Sequence, residues 1–372
     1  MRVLFLSALY LTSLLGQARK GPNVSLSAAK PPIAAKATEA RLAGKLDQAI
    51  PLYRQGLRTH PNWAEGWYFL GSMHYERDQP RECADAMRRF TKLAPEVSSG
   101  YAFWGLCLYQ TRDYAESLRT LIQAERLGMP RGEALTDVAS YHAALLFTKN
   151  GNFEKALEIL NFFSNREPID PKVIEATGIT SLRMPIFPAE LKLDDRELVY
   201  RTGRAVLTAG NRRSAEATRL LADIAADFPT TPNVHYVYGS LLVSTDPDRG
   251  IGVLEKELEI QPDHLATRIL LAMEFLKRGE PEKAIRFGEE AARLAPVNFT
   301  GHVMLGRALA ESGIDLERGI RELEAAMKLE PTSPQVRIAL ASAYAKAGRK
   351  QEATVQRNEF QRLKKLLEER GK

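Results

Sequence analysis

The stretch WYFLGSMHY, from Trp67 to Tyr75, decides how this chain folds. It is apolar enough to form a buried helix, yet Gly71 stands in its middle. A glycine in a helix interior costs about 0.5–1 kcal/mol relative to alanine. There must therefore be a structural reason for a residue without a side chain at this position. Close packing of a second helix is such a reason, because a larger residue would overpack the contact.

Prolines recur along the chain at an almost constant spacing. Pro61 and Pro95 are 34 residues apart, and Pro229, Pro262 and Pro296 follow one another at intervals of 33 and 34 residues. Each closes an amphipathic segment, such as RQGLRTHP or EEAARLAP. Glycines that can take the left-handed conformation ending a helix mark the middle of the same period: Gly44, Gly151, Gly279, Gly313 and Gly348. The pattern predicts a helix, a tight turn, a second helix and a proline-marked turn.

This repeating unit resembles the tetratricopeptide repeat (TPR), whose 34-residue pattern reads W-x2-L-G-x2-Y, then A-x3-F, then P. Matches in one register cover most of residues 31 to 360: Trp67, Leu70, Gly71, Ala49, Tyr53, Gly105, Ala144, Ala156, Ala272, Ala284, Gly306, Ala341 and Ala353. The resemblance implies an all-α fold, a right-handed α-solenoid of stacked antiparallel helix pairs (a TPR superhelix) with about eight to nine repeats. The small residues are expected where paired helices cross.

One interval between the marking prolines is longer, and the stretch MPIFPAELKLDD lies within it. Pro185 and Pro188 in this stretch cannot lie inside a regular helix. The expected organisation is an N-terminal TPR block over 31–168, an extra helix and a proline-containing loop over 169–195, a C-terminal TPR block over 196–356, and a capping helix over 357–372. Solenoids need such a polar-faced terminal cap.

The N-terminus has the layout of a secretory signal. Arg2 precedes an apolar run over residues 3–15 that is too short to span a bilayer comfortably, and Gly16 and Ala18 are small residues at the positions a signal peptidase needs. We expect a cleaved signal peptide over 1–18, a linker over 19–30 and a periplasmic or secreted protein. The alternative is membrane anchoring by an uncleaved N-terminal segment.

The two cysteines, Cys83 and Cys107, are placed by the repeat on neighbouring helices. An exported chain permits a disulfide. Cys83, however, occupies the small-residue position that faces the inside of its own helix pair, and free cysteines are commonly buried. We therefore expect two free thiols.

Catalytic patterns are missing from the sequence. The six histidines form no HExxH motif, and there is no GxxxxGK phosphate loop or GxSxG elbow. The repeats also occupy nearly all of the mature chain and leave no segment for an appended catalytic domain. We expect no enzyme activity, no cofactor and no metal.

The expected function is therefore a non-catalytic protein–protein interaction scaffold. The resemblance implies a concave groove, lined by the first helices, that holds a polypeptide segment of a partner. The residues projected into this groove are Tyr68, Tyr75, Tyr109, Tyr141, Tyr236 and Arg307.

A formal charge of +6 motivates one alternative, a basic solenoid that binds nucleic acid or another polyanion, although no dense Lys/Arg tract supports it. A second alternative is a regulatory or accessory subunit of an enzyme complex. The partner and the oligomeric state are unknown at this stage.

Overall fold

The computed structural model describes residues 30–130, 132–166 and 168–370. These residues form 19 α-helices and two short 3-10 turns, without a β-strand. The predicted signal peptide, and the linker except for its last residue, lie outside the described part of the chain. No helix within that part is long and apolar enough to cross a membrane.

The chain divides into two compact units, the first ending at Ala217 and the second beginning at Thr218. The division falls inside the helix α11 (Ser214–Asp227). The helices of the first unit are α1 (Ala34–Leu42), α2 (Leu46–Thr59), α3 (Ala64–Glu76), α4 (Pro80–Leu93), α5 (Ser98–Gln110), α6 (Tyr114–Arg126), α7 (Ala134–Lys149), α8 (Phe153–Asn161), α9 (Pro171–Ser181) and α10 (Arg196–Gly210). Those of the second unit are α12 (Val234–Leu242), α13 (Pro247–Ile260), α14 (Leu265–Lys277), α15 (Pro281–Leu294), α16 (Phe299–Ser312), α17 (Leu316–Leu329), α18 (Pro334–Lys346) and α19 (Lys350–Arg370).

Within each unit, successive helices pack as pairs in chain order, as the sequence predicted. The small residues lie at the crossings of these pairs. A Cβ on Gly71 would stand 2.9 Å from Cε of Met87, and a Cβ on Gly105 would stand 2.6 Å from Cγ of Leu121. Gly306 faces Leu323 in the same way in the second unit. The remaining predicted packing positions are buried: Ala49, Tyr53, Leu70, Ala144, Ala156, Ala272, Ala284, Ala341 and Ala353.

Trp67 is half-buried, packs against the core and has a second role as well. Its indole Nε1 donates a hydrogen bond of 2.8 Å to the carbonyl of Pro61, six residues earlier. His235, His302 and Arg337 occupy the equivalent position in later units and each donates to the carbonyl of the proline six residues before it, at 2.8–2.9 Å. The position therefore needs a side-chain donor that fastens the proline turn to the next helix, because a helix C-terminus leaves carbonyls without partners.

Cys83 on α4 and Cys107 on α5 are joined by a disulfide, with 6.0 Å between their Cα atoms. The expectation of two free thiols was therefore wrong. Both residues are fully buried, as expected, but the small-residue position of α4 also faces the first helix of the next pair. This bond covalently links the second helix pair to the third.

The interruption after residue 168 is a helix followed by a loop, as the prolines indicated. The helix α9 packs along α10, and their backbones touch at Gly178 and Gly203. The first compact unit therefore continues through residues 169–195 instead of ending before them. At the C-terminus, the predicted cap is not a separate element, because residues 350–370 form one continuous helix, α19.

Candidate partner-binding surface

Three of the six predicted groove residues are core residues. Tyr68, Tyr75 and Tyr141 are each at most 3% exposed. The ring of Tyr68 contacts Phe90 at 5.1 Å and Phe103 at 5.9 Å between centroids. These two phenylalanines close over a position that the repeat pattern alone places towards the groove. Burial raises the pKa of Tyr68 to about 12 and also raises the pKa of Tyr75 and Tyr141.

Two other predicted residues lie on different helices of the second unit, Tyr236 on α12 and Arg307 on α16. Tyr236 is half-buried and meets the His264 ring edge-to-face at 5.0 Å. The guanidinium of Arg307 forms an ion pair of 2.9 Å with Glu311, one turn along the same helix. That pair is ordinary for an exposed helix face.

Tyr109, at the C-terminal end of α5, is the predicted residue that lies in a cluster of aromatic rings, three of them partly exposed. Its ring centroid is 5.5 Å from Tyr114, 4.6 Å from His142 and 5.9 Å from Phe187. Phe187 also lies 4.8 Å from Tyr114. We call these four residues the Tyr109 cluster. Three of them belong to the packed helices α5, α6 and α7, whereas Phe187 comes from the loop between α9 and α10.

An ion pair borders the Tyr109 cluster. The Nζ atom of Lys149, the last residue of α7, donates to the two carboxylate oxygens of Glu190 at 2.8 and 3.0 Å. The same ammonium lies 5.3 Å from the centroid of Phe187, a cation–π distance. Glu190 also accepts the backbone N–H of Phe187 at 2.7 Å. The hydrogen bond from Lys149, and then the one from Phe187, hold the pKa of Glu190 below its usual value.

The loop that carries Phe187 and Glu190 is anchored at both ends. Arg183, which follows α9, forms an ion pair of 2.7 Å with Glu154 and stacks over Phe153 at 4.8 Å. Leu191, beyond the first 3-10 turn, is buried. Residues 184–191 (the inserted segment) follow Arg183, end at Leu191 and have a largely non-helical conformation, and they contribute Phe187 to the Tyr109 cluster.

His142 supplies a neutral ring to the cluster. Its side chain is buried, and Nδ1 donates to the backbone carbonyl of Val138 at 2.8 Å. Desolvation lowers the pKa of His142 to about 4, so the ring is uncharged near neutral pH. The charges beside the aromatic rings therefore come from Lys149 and Glu190.

Apart from the Tyr109 cluster, the first unit has a depression of about 430 Å³ between α6, α7 and α8. Its carboxylates are Glu125 and Glu158, and Lys155 lies between them, at 4.0 and 3.0 Å respectively. The described residues contain no group of three or more His, Cys, Asp or Glu side chains placed to hold a metal ion.

Comparison with known proteins identifies the first helix pairs. Residues 34–98 match the family model of the tetratricopeptide repeat. The helices α1 to α4 are therefore tetratricopeptide repeats. A search of curated proteins gave no match.

Solved structures of the TPR-like protein MamA are similar to part of the chain. A MamA structure from Desulfovibrio magneticus RS-1 is 21% identical and covers 44% of this chain and 93% of its own, with a TM-score of 0.42. One from MSR-1 is 26% identical and covers 45% and 96%, with a TM-score of 0.39. Both TM-scores are below 0.5.

Tyr109, Tyr114 and Lys149 lie beside the tight turns at which the first helices of the third and fourth units end. The sequence identified Tyr109 but missed its partners Tyr114, Lys149, Phe187 and Glu190. The available signal was the composition of the inserted segment. A loop that places Ile186, Phe187 and Leu191 among prolines carries more apolar side chains than a solvated connection needs.

Proposed function

We propose that this protein is a non-catalytic scaffold that binds a polypeptide segment of a partner. One observation carries the proposal: Tyr109, Tyr114 and Lys149 contact the side chains of Phe187 and Glu190, which lie in a largely non-helical stretch of the same chain. The surface therefore has the chemistry to take one aromatic and one acidic side chain of a polypeptide segment.

The residue types support a binding role. Tyrosine offers apolar area together with a polar tip and loses little conformational entropy on binding. Tyr109 and Tyr114 are partly exposed, and they lie at the ends of packed helices that hold their backbones in place. A binding site built on rigid elements needs little reorganisation when a partner arrives.

A photo-crosslinking experiment tests this function. A photoreactive phenylalanine analogue replaces Tyr114, and the full chain is irradiated in extract from its native source. The matched control carries the analogue at Ile338, which is exposed on α18 of the second unit. We expect a discrete light-dependent adduct at position 114 that is missing at position 338. The partner is then purified, and its affinity is measured against the wild type and Tyr109→Ala. Adducts that are equal at both positions, or an affinity unchanged by Tyr109→Ala, contradict the proposal.

We also propose export of the mature chain through a cleaved signal peptide. The Cys83–Cys107 disulfide supports this placement, because disulfides persist in oxidising compartments. N-terminal sequencing of the protein from its source should begin at Arg19. Alkylation without reductant should leave both cysteines unmodified. A protein that begins at Met1 and has two reactive thiols contradicts export.

A further inference from the structure

The inserted segment is longer than its connecting task requires. It belongs to residues 182–195, which join α9 to α10, whereas three residues join α1 to α2. The two helices already touch along their length at Gly178 and Gly203. The extra length instead carries Phe187 to the Tyr109 cluster and Glu190 to Lys149.

The inserted segment makes two specific side-chain contacts with this surface. Phe187 meets the rings of Tyr109 and Tyr114, and the carboxylate three residues later pairs with Lys149. Between them, Ala189 is exposed. A Phe-x-x-Glu spacing is thus enough to describe how this surface recognises the segment.

Both contacts are of a kind that a competitor can replace. The side chain of Glu190 is 47% exposed, and ion pairs at that exposure contribute little and are screened by salt. Phe187 is only half-buried, unlike the core aromatics. The anchors of the loop, Arg183 and Leu191, lie outside this pair of contacts.

From these contacts we infer that the inserted segment is an internal competitor for the partner. The partner segment carries an aromatic residue followed three residues later by a carboxylate, and it binds by displacing Phe187 and Glu190 from Tyr109, Tyr114 and Lys149. This inference rests on the proposed function and specifies the chemistry of its ligand.

Displacement has a measurable consequence. When the competent surface is open for only a fraction of the time, the apparent affinity for a ligand falls by that fraction. Removing the internal aromatic side chain should therefore raise the affinity for an added peptide by about tenfold or more.

The experiment uses the full chain and a fluorescent synthetic peptide of residues 184–193, MPIFPAELKL. Anisotropy titrations compare the wild type with Phe187→Ala and with a matched control, Leu193→Ala, whose side chain is 76% exposed in the same loop. We expect Phe187→Ala to bind the peptide at least about tenfold more tightly than either the wild type or the control. A peptide with alanine in place of its phenylalanine should not bind, and high salt should weaken the binding.

Circular dichroism establishes that each variant is folded. If Phe187→Ala is not folded, Glu190→Gln serves instead, because it removes the charge and leaves Phe187 in place; a severalfold gain in peptide affinity is then expected. A folded variant that binds the peptide no more tightly than the wild type overturns the inference. A wild-type dimer that Phe187→Ala converts to a monomer also overturns it, because the occupant in solution would then be the segment of a second copy.

The outcomes for the inference and for the proposed function are separable. A partner that crosslinks at position 114 but has no aromatic residue three positions before a carboxylate leaves the scaffold function standing and overturns the inference. If Phe187→Ala binds the peptide more tightly than the wild type but extract gives no adduct at position 114, the scaffold function at this surface is overturned. The peptide titration would still show that Phe187 competes with an added peptide for the surface.

Discussion

Gly178→Ala should destabilise the first compact unit by an amount that the structure sets. Gly178 on α9 faces the backbone of α10, and a Cβ there would overlap the carbonyl oxygen of Val199 and stand 2.6 Å from its carbonyl carbon. Neither atom can move without moving its helix. The helices must therefore separate by about 1 Å, which forfeits roughly a quarter to a half of the dispersion attraction at that contact.

The expected magnitude follows from two opposed effects. Overpacking a tight contact costs about 1–3 kcal/mol, and a clash with backbone atoms belongs at the upper end of that range. Alanine in place of glycine returns up to about 1 kcal/mol of helix propensity. We expect a net loss of about 2 kcal/mol in the free energy of unfolding, which corresponds to roughly 4–8 °C in the melting temperature of a unit of this size.

The assay is urea unfolding of the full chain followed by circular dichroism, with hydrogen exchange to assign the loss to α9 and α10. Gly252→Ala is the matched control, because Gly252 lies on the exposed face of α13 and a Cβ there meets nothing within 4 Å. The control should gain about 0.5–1 kcal/mol from helix propensity. An unchanged or raised stability of Gly178→Ala would refute the close crossing of α9 and α10.

Three further changes test other parts of the structure. Reducing the Cys83–Cys107 bond, which spans 24 residues, should cost about 3 kcal/mol in unfolding free energy, and a double-alanine variant should show no response to reductant. The free energy of unfolding should fall as pH drops from about 6.5 to about 4, because the unfolded chain protonates His142 before the folded one does; His142→Gln should flatten that part of the pH profile. Glu257→Ala should cost about 3 kcal/mol, measured by thermal unfolding, because this buried carboxylate accepts the backbone N–H groups of Asn233 and Tyr236 at the start of α12.

The 34-residue spacing of prolines and small residues predicted the fold, because backbone sterics and side-chain size act locally. Gly71, Gly105 and Gly306 identified the helix crossings, since only a small residue fits there. For Trp67, which packs against the core, the same pattern did not predict its hydrogen bond. The repeat pattern names a tryptophan, but the structure uses a hydrogen-bond donor to the carbonyl of Pro61, and histidine or arginine serves as well in later units.

The binding surface was less predictable, because exposure depends on residues far away in sequence. Tyr75 and Tyr109 are 34 positions apart and occupy equivalent positions on their helices, yet Tyr75 is buried, with the ring of Phe103 at 5.5 Å. Tyr109 meets a loop residue, Phe187, that follows it by 78 positions. No local pattern carries that contact. The disulfide was missed for a related reason. The small-residue position that Cys83 occupies faces both its own helix pair and the first helix of the next pair.

The link between Cys83 and Cys107 has a consequence for how the first unit comes apart. In a repeat array each pair touches only its neighbours, so unravelling starts at an end and advances pair by pair. A covalent tie between the second and third pairs halts that advance after α1 and α2 have peeled away. A protease would then trim the N-terminal pair and stop, leaving Tyr109 and its neighbours intact.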